Sequence, residues 1–204
     1  MNIVKNEMWS TPIWEIDTGF DSYFNLVLAA ELDEIIKKTG TTRYNIWEVG
    51  SKPFAKLKEK FKECLDATVQ DVFPPWYPYN PYIDFGWGNK SRTGEDLPLH
   101  SHEGYIFVMN YYVKCPPNCG DLLVVDPRGG INWGWETETQ SRALTGIKYK
   151  RIKPVEGKLV IFPAFLMHMV EPNRSKEDRI SIATNVHNYP IKYDINTVLR
   201  TENS

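Results

Sequence analysis

Apolar residues recur at helical spacing in two segments near the start of the chain. The first, SYFNLVLAAELDEIIKKTG, ends with lysines before Gly40 and carries its apolar side chains largely on one side, at Leu26, Leu28, Leu32, Ile35 and Ile36. The second begins at Ser51, a capping residue, with Pro53 in its first turn. Its apolar positions follow at three-and-four spacing, at Phe54, Leu57, Phe61, Cys64, Leu65, Val69 and Val72. The pattern predicts two amphipathic helices, each of which needs a surface to pack against.

Beyond Phe73 the pattern changes to short apolar runs separated by turn residues. The stretch PPWYPYNPYIDFGWG cannot continue a helix, because proline removes a backbone donor and clashes with the preceding turn. Strands are predicted at roughly residues 81–88, 104–113, 120–126, 157–162, 165–170 and 178–187. The last is the most regular, since Ile180, Ile182, Thr184 and Val186 alternate with Arg179, Ser181, Ala183 and Asn185. One of its faces is therefore apolar, and the other carries polar and small side chains.

Two helices followed by many short strands predict a mainly β, α+β fold. We expect an antiparallel sandwich or barrel with the helices packed on one side. The chain has 204 residues and neither a visible linker nor an internal repeat, so a single domain over residues 1–204 is expected. Its parts would be an entry strand with supporting helices (1–73), a β core (74–190) and a tail (191–204).

Composition and charge exclude several classes of protein. A net charge of -2, from 24 basic and 26 acidic side chains, provides no long-range field to attract nucleic acid or an anionic membrane. The chain shows neither a secretory signal pattern nor the roughly 20 apolar residues that span a bilayer, so a soluble, cytoplasmic protein is expected. Cys115 and Cys119 in CPPNCG are spaced like half of a zinc knuckle, but a second ligand pair is missing and a turn between strands is the better interpretation.

Candidate chemistry begins with the segment LHSHEGYIFVMNYYV. His100 and His102 share a parity, so in an extended segment both rings project from the same face and can converge on one ion. Taken alone, such a pair is equally consistent with two polar side chains in a loop. His168 lies inside an apolar run, where a polar side chain needs a partner. It is either a third ligand or a core histidine bonded to backbone.

Arg179 lies on the polar face of the last strand. A cation directed into the interior of a barrel is costly unless it meets an anion. That anion is either a bound ligand or a nearby acid such as Glu177 or Asp178, although the strand alternation points Asp178 to the opposite face.

The order of these features resembles the Fe(II)- and 2-oxoglutarate-dependent dioxygenases, in particular the prolyl-hydroxylase-like branch and a bacterial and phage group with an HxH motif. The resemblance rests on the histidine pair, a strand ending in YY, a glycine-rich turn with DPR, the pattern P-x-x-G-x-L-V-x-F-P-x-x-x-x-H-x-V, and the RISI strand. It covers most of the chain, from WSTPIW to Asn185. It implies a double-stranded β-helix (jelly-roll, cupin-like) core supported by two helices.

The resemblance also implies a site and a reaction. His100 and His168 would bind Fe(II), and Arg179 would pair with the distal carboxylate of 2-oxoglutarate. Tyr112 would assist at that carboxylate, unless it is a core aromatic whose hydroxyl is already satisfied. Ser181 and Asn185, on the same strand face as Arg179, would line the pocket. The implied reaction is hydroxylation of an unknown substrate, with succinate and CO2 as co-products.

His102 stands where the resembling family has a carboxylate. Either the site is formed by three histidines, or a nearby acid such as Glu103 or Asp121 completes it. Three histidines also suit a cupin-like dioxygenase or isomerase that does not use 2-oxoglutarate, and a metal-stabilised binding module without turnover. The aromatic stretches at residues 74–82 and 131–139 could stack against a substrate or pack as loops over the helices.

Overall fold

The two predicted helices are present and are capped by local side chains. In this computed structural model, which describes residues 10–70, 72–73, 80–127 and 149–188, helix α1 spans Ser22–Thr39 and helix α2 spans Lys52–Val69. The Asp21 side chain accepts a hydrogen bond from the Phe24 N–H (2.8 Å) at the start of α1. The Ser51 hydroxyl caps α2 in the same way, as its sequence position predicts. Helix α2 ends three residues before Val72.

Nine strands form the β core in the described part of the chain. They are β1 Trp14–Asp17, β2 Pro81–Ser91, β3 Leu97–His100, β4 Phe107–Lys114, β5 Leu122–Val125, β6 Tyr149–Ile152, β7 Lys158–Pro163, β8 His168–Val170 and β9 Arg179–Asn188. A short 3-10 helix, Ile46–Glu48, precedes α2. Each of the six predicted strands overlaps an observed strand, and β1 matches the expected entry strand. Strands β3 and β6 were not predicted.

The strands pair antiparallel in two sheets. One sheet has the order β1-β7-β4-β9-β2 and the other has the order β3-β8-β5-β6. One apolar core lies between the helices and the five-stranded sheet, where Leu28 and Phe61 meet Met109 and Ile182. A smaller core lies between the two sheets and includes Phe162. The predicted fold class, a double-stranded β-helix supported by two helices, is confirmed.

Strand β9 shows how the fold creates a cavity. Ile180, Ile182 and Val186 enter the core under the helices, while the opposite face of the strand lines a cavity between the sheets. Both faces are buried, but the cavity face carries Arg179 and Asn185. The alternation in the sequence therefore predicts correctly which side chains reach the cavity.

Some predicted features fall outside the described residues. Residues 74–79 and 131–139 of the aromatic-rich stretches and the tail at 191–204 are among them. Tyr82, at the end of the first stretch, stacks on the ring of His187 with centroids 5.3 Å apart. Neither helix in the described ranges has the length and apolar character required to span a bilayer.

Candidate metal centre

Three histidine rings meet at the edge of the four-stranded sheet. His100 ends β3 and lies directly opposite His168, the first residue of β8, in the antiparallel register. His102 lies two residues beyond the end of β3, with its backbone N–H bonded to the Ala164 carbonyl oxygen (3.0 Å). The candidate ligand nitrogens of the three rings all lie within 4.8 Å of one another. Three nitrogen donors this close together can bind one metal ion.

The three rings converge for a reason different from the predicted one. Strand β3 stops at His100, so His102 is not in an extended segment and the parity argument does not apply to it. Its ring nevertheless lies 5.1 Å from that of His100 and 5.2 Å from that of His168, between centroids. The loop after β3 turns His102 back toward the other two rings.

Backbone carbonyls orient two of the rings. His100 Nδ1 lies 2.8 Å from the Pro98 carbonyl oxygen, and His168 Nδ1 lies 2.9 Å from the Leu166 carbonyl oxygen. A carbonyl only accepts hydrogen bonds, so Nδ1 carries the proton in each ring. The lone pair of Nε2 is then free to bind a metal.

The environment keeps the imidazoles neutral. Burial lowers the pKa of His168 to about 4. Burial and the proximity of His100 lower the pKa of His102 from its usual value. Neutral imidazole is the form that binds metals, so protons compete little with a metal for these rings near neutral pH.

The acids considered as alternative ligands do not join the cluster. The Glu103 side chain is exposed, and Asp121 accepts a hydrogen bond from Arg151 Nη1 (3.0 Å). In the described part of the chain, the residues that could hold a metal together are His100, His102 and His168. The arrangement favours the three-histidine interpretation over a carboxylate from Glu103 or Asp121.

Arg179 is a buried cation directed into the same cavity. Only 5% of its surface is exposed, and its Nη2 donates to the Ser91 hydroxyl (3.2 Å) while Nε has no hydrogen-bond partner. The neighbouring acids are engaged elsewhere, because Glu177 pairs with Lys114 (2.9 Å) and Asp178 pairs with Lys90 (3.4 Å). Neither Glu177 nor Asp178 therefore forms the salt bridge considered for Arg179. Within the described residues the guanidinium has no carboxylate partner, so its buried charge is unmatched.

The hydroxyl of Tyr112 lies close to Arg179. It is buried, makes no hydrogen bond of standard geometry, and interacts electrostatically with the guanidinium. Burial raises the pKa of Tyr112, so its hydroxyl keeps its proton and remains a donor. Ser181 lies opposite Tyr112 in the β4–β9 register, and both line the cavity. Tyr112 is thus part of the core between the sheets, as one of the two alternatives expected, but its hydroxyl is not satisfied by a hydrogen bond of standard geometry.

The cavity that these groups line has a volume of about 810 Å³ and is open on one side. Cavities of roughly 300 to 1,000 Å³ typically hold small ligands. Trp87, Asn89 and Ser91 of β2 line this cavity as well, although they were not among the predicted site residues. Their alternate positions on one strand are a period-two signal that could have identified them. The Trp87 ring lies nearly parallel to that of His102, with an interplanar angle of 22° and centroids 6.2 Å apart.

Cys115 and Cys119 do not form a zinc site. Both thiols are free and interact with each other near Arg179, and burial raises the pKa of both. Neither belongs to a group of three or more potential ligands among the described residues. Asn118, between them, has a positive φ of 62°, as the predicted turn allows.

The chain is similar to known oxygenases in both sequence and fold. Residues 86–185 match the family described as "Putative 2OG-Fe(II) oxygenase". This segment contains the three histidines, Tyr112 and Arg179. A search of curated proteins finds no match to the chain.

Solved structures share the fold at low sequence identity. HygX from Streptomyces hygroscopicus, solved with nickel and 2-oxoglutarate bound, is 16% identical, with a TM-score of 0.62 over 89% of this chain and 84% of that one. A prolyl-4-hydroxylase from Pseudomonas putida is 14% identical, with a TM-score of 0.61 over 88% and 89%. The epimerase SnoN of nogalamycin biosynthesis is 11% identical, with a TM-score of 0.64 over 87% and 79%. The matched segment, residues 86–185, and the shared fold agree with the superfamily of Fe(II)- and 2-oxoglutarate-dependent oxygenases that the sequence resembles.

Proposed function

We propose that this oxygenase hydroxylates a substrate with 2-oxoglutarate as co-substrate, using Fe(II) held by His100, His102 and His168. The observation that carries the proposal is the buried guanidinium of Arg179, which lacks an acidic partner among the described residues and lines the cavity that the histidines line. A cation in that position is stabilised when an anion enters the cavity. A dicarboxylate can bind the metal through one carboxylate and neutralise the Arg179 guanidinium with the other.

The donor set fits Fe(II). Imidazole nitrogen is a normal ligand for iron, and three donors on one side leave positions for a bidentate ligand and for oxygen. Bound Fe(II) supplies the oxygen chemistry, in which oxidative decarboxylation of 2-oxoglutarate to succinate and CO2 is coupled to oxidation of a substrate C–H bond. The chain's own residues hold the ion, anchor the co-substrate and limit access of water.

Arg179 and Tyr112 are proposed to bind the distal carboxylate. The guanidinium keeps one hydrogen bond to Ser91 and still has Nε free, and the Tyr112 hydroxyl has no other partner of standard geometry. A carboxylate oxygen accepts from both groups, and charge-assisted bonds of this type are about twice as strong as neutral ones. Ser181, beside Tyr112, is proposed to contact the same ligand.

An anaerobic titration tests the co-substrate. Fe(II) and 2-oxoglutarate should give the weak visible charge-transfer band of the chelate with the wild-type protein. The Arg179→Met variant should need a much higher concentration of 2-oxoglutarate, while Arg151→Met, which changes an exposed arginine, should behave as the wild type. Fe(II) binding without the band in the wild type would rule out 2-oxoglutarate as the co-substrate.

The reaction outcome needs its own measurement, because the similar SnoN is an epimerase. Once a substrate is found, mass spectrometry should show a product that has gained one oxygen atom, with one succinate formed for each product molecule. A product of unchanged mass would instead indicate epimerisation.

The third histidine favours a second candidate. A cupin-like dioxygenase or isomerase with three histidines binds its substrate directly, and Arg179 would then hold a carboxylate of the substrate. Oxygen consumption that needs no 2-oxoglutarate would support this candidate. A binding module without turnover would release neither succinate nor CO2 under any of these conditions.

A further inference from the structure

His102 differs from the other two histidines in how its ring is supported. His100 and His168 each have Nδ1 bonded to the carbonyl oxygen two residues earlier, at Pro98 and Leu166. The His102 backbone N–H is bonded to the Ala164 carbonyl oxygen, a bond that fixes the backbone and does not orient the ring. A ligand ring without an orienting acceptor can present the wrong nitrogen or the wrong angle to a metal.

Asn185 lies where such an acceptor is needed. Its side chain is only 8% exposed, lines the same cavity as His102 and lies within hydrogen-bonding reach of that ring. The Asn185 Oδ1 is buried and makes no hydrogen bond of standard geometry. A small turn of either group would complete a bond that satisfies both.

Trp87 limits the ring from its face. The indole stacks nearly parallel to His102, and its Nε1 donates to Asn89 Oδ1 (3.2 Å), which fixes the indole on β2. With a stacked face and one edge beside Asn185, the His102 ring has little freedom left. These contacts come from β2 and β9, so the five-stranded sheet supports a ligand that follows β3 of the other sheet.

We propose that Asn185 is a positioning residue, whose Oδ1 accepts the N–H of the His102 ring and directs the other ring nitrogen toward His100 and His168. This rests on the proposed function, because it assumes that the three histidines hold the metal. It gives Asn185 a different role from the co-substrate contact expected from the sequence. Strand β9 then contributes Arg179 for the anion at one end of the cavity and Asn185 for the metal centre at the other.

The test measures Co(II) affinity and the visible spectrum of bound Co(II), without 2-oxoglutarate. Asn185→Ala should weaken Co(II) binding about 10- to 100-fold, the usual effect of removing an orienting partner. Asn185→Asp keeps an acceptor oxygen and should restore the affinity and the wild-type spectrum. Asn110→Ala is the matched control, because Asn110 lines the same cavity from β4 next to Tyr112. It should bind Co(II) as tightly as the wild type.

A double-mutant cycle with His102→Ala shows whether Asn185 acts through His102. If it does, Asn185→Ala should weaken Co(II) binding further by less than about twofold once the His102 ring is gone. Wild-type affinity in Asn185→Ala, weak binding in Asn185→Asp, or full additivity in the cycle would each overturn the inference and leave the proposed function intact. A wild-type protein that does not bind Co(II) would overturn both.

Discussion

Replacing Arg179 with methionine should stabilise the ligand-free protein and abolish its response to 2-oxoglutarate. The guanidinium is 5% exposed, has one hydrogen bond to Ser91 and has no carboxylate partner among the described residues. Burial lowers the pKa of Arg179, which indicates that its charge is poorly solvated in the folded chain. Methionine has an unbranched, uncharged and flexible side chain that can fill the space occupied by the arginine side chain.

The expected gain follows from two opposing terms. A buried unpaired charge costs several kcal/mol, and the bond to Ser91 returns roughly 1.5 to 3 kcal/mol of that. The remainder, about 1 to 3 kcal/mol, is what Arg179→Met should add to the free energy of unfolding. For a chain of this size, 1 kcal/mol changes the Tm by about 2 to 4 °C, so the metal-loaded variant without 2-oxoglutarate should melt roughly 2 to 12 °C above the wild type.

The response to 2-oxoglutarate should change in the opposite direction. At a ligand concentration 100 times its Kd, binding stabilises the folded state by about 2.7 kcal/mol, or roughly 5 to 11 °C. Thermal unfolding with anaerobic Fe(II) should show this increase for the wild type and less than about 2 °C for Arg179→Met. The control Arg151→Met removes an exposed arginine that pairs with Asp121 and Glu171, and should keep the full increase.

Two results would refute this reasoning. If Arg179→Met melts well below the wild type without 2-oxoglutarate, the arginine is a structural group with a partner that the described residues do not include. If 2-oxoglutarate stabilises Arg179→Met as much as the wild type, the guanidinium does not bind the co-substrate. Either outcome would remove the observation on which the proposed function depends.

Three further changes test the site and the fold. The pKa of His168 is about 4 in the folded chain against 6.5 in the unfolded chain, so the unfolded state takes up the proton first as the pH falls from 6.5 to 4. The free energy of unfolding of the metal-free protein should therefore fall by about 3 kcal/mol over this range. Urea titrations in the presence of a chelator should show a smaller fall for His168→Gln. Tyr112→Phe should leave the free energy of unfolding unchanged or higher but weaken 2-oxoglutarate binding about tenfold by calorimetry. Gly120→Ala should cost about 3 kcal/mol or more in chemical denaturation, because φ is +88° and a Cβ would lie 2.2 Å from the Glu171 carbonyl oxygen. Gly19→Ala, with φ +73° and open space, should cost only about 1 kcal/mol.

The sequence predicts best the elements whose information is local. Ser51 caps α2 with its own hydroxyl, and the alternation of β9 separates a core face from a cavity face within one strand. Strands β3 and β6 lack such a pattern. Leu97 and Leu99 in β3 are 36% and 45% exposed, and Pro98 lies between them, so this segment is a strand only because β8 pairs with it. Neither the strand propensity nor the periodicity of residues 97–100 predicts that pairing.

The candidate site also combines residues that local sequence patterns identify with contacts that only the fold creates. His168 and Arg179 were identifiable because each is a polar residue at a buried position of a recognisable strand. The convergence of His102 depends on a loop that leaves β3 after His100, and the Trp87 ring that stacks on it comes from the other sheet. Contacts between residues so far apart in the sequence follow from the sheet topology. His102 and Asn185 themselves were predicted from the sequence, whereas the role that we propose for Asn185 required the structure.

The third histidine matters through charge as well as geometry. Three neutral imidazoles leave the full charge of a divalent ion in the cavity, and Arg179 adds one more positive charge, while the neighbouring acids Glu177 and Asp178 are paired with lysines. A carboxylate at position 102 would remove one charge from that sum. With His102, the ion, Arg179 and a doubly negative co-substrate would together keep one positive charge, whereas a carboxylate in its place would leave none. The identity of residue 102 therefore bears on the charge at the metal centre, and not only on how the metal is held.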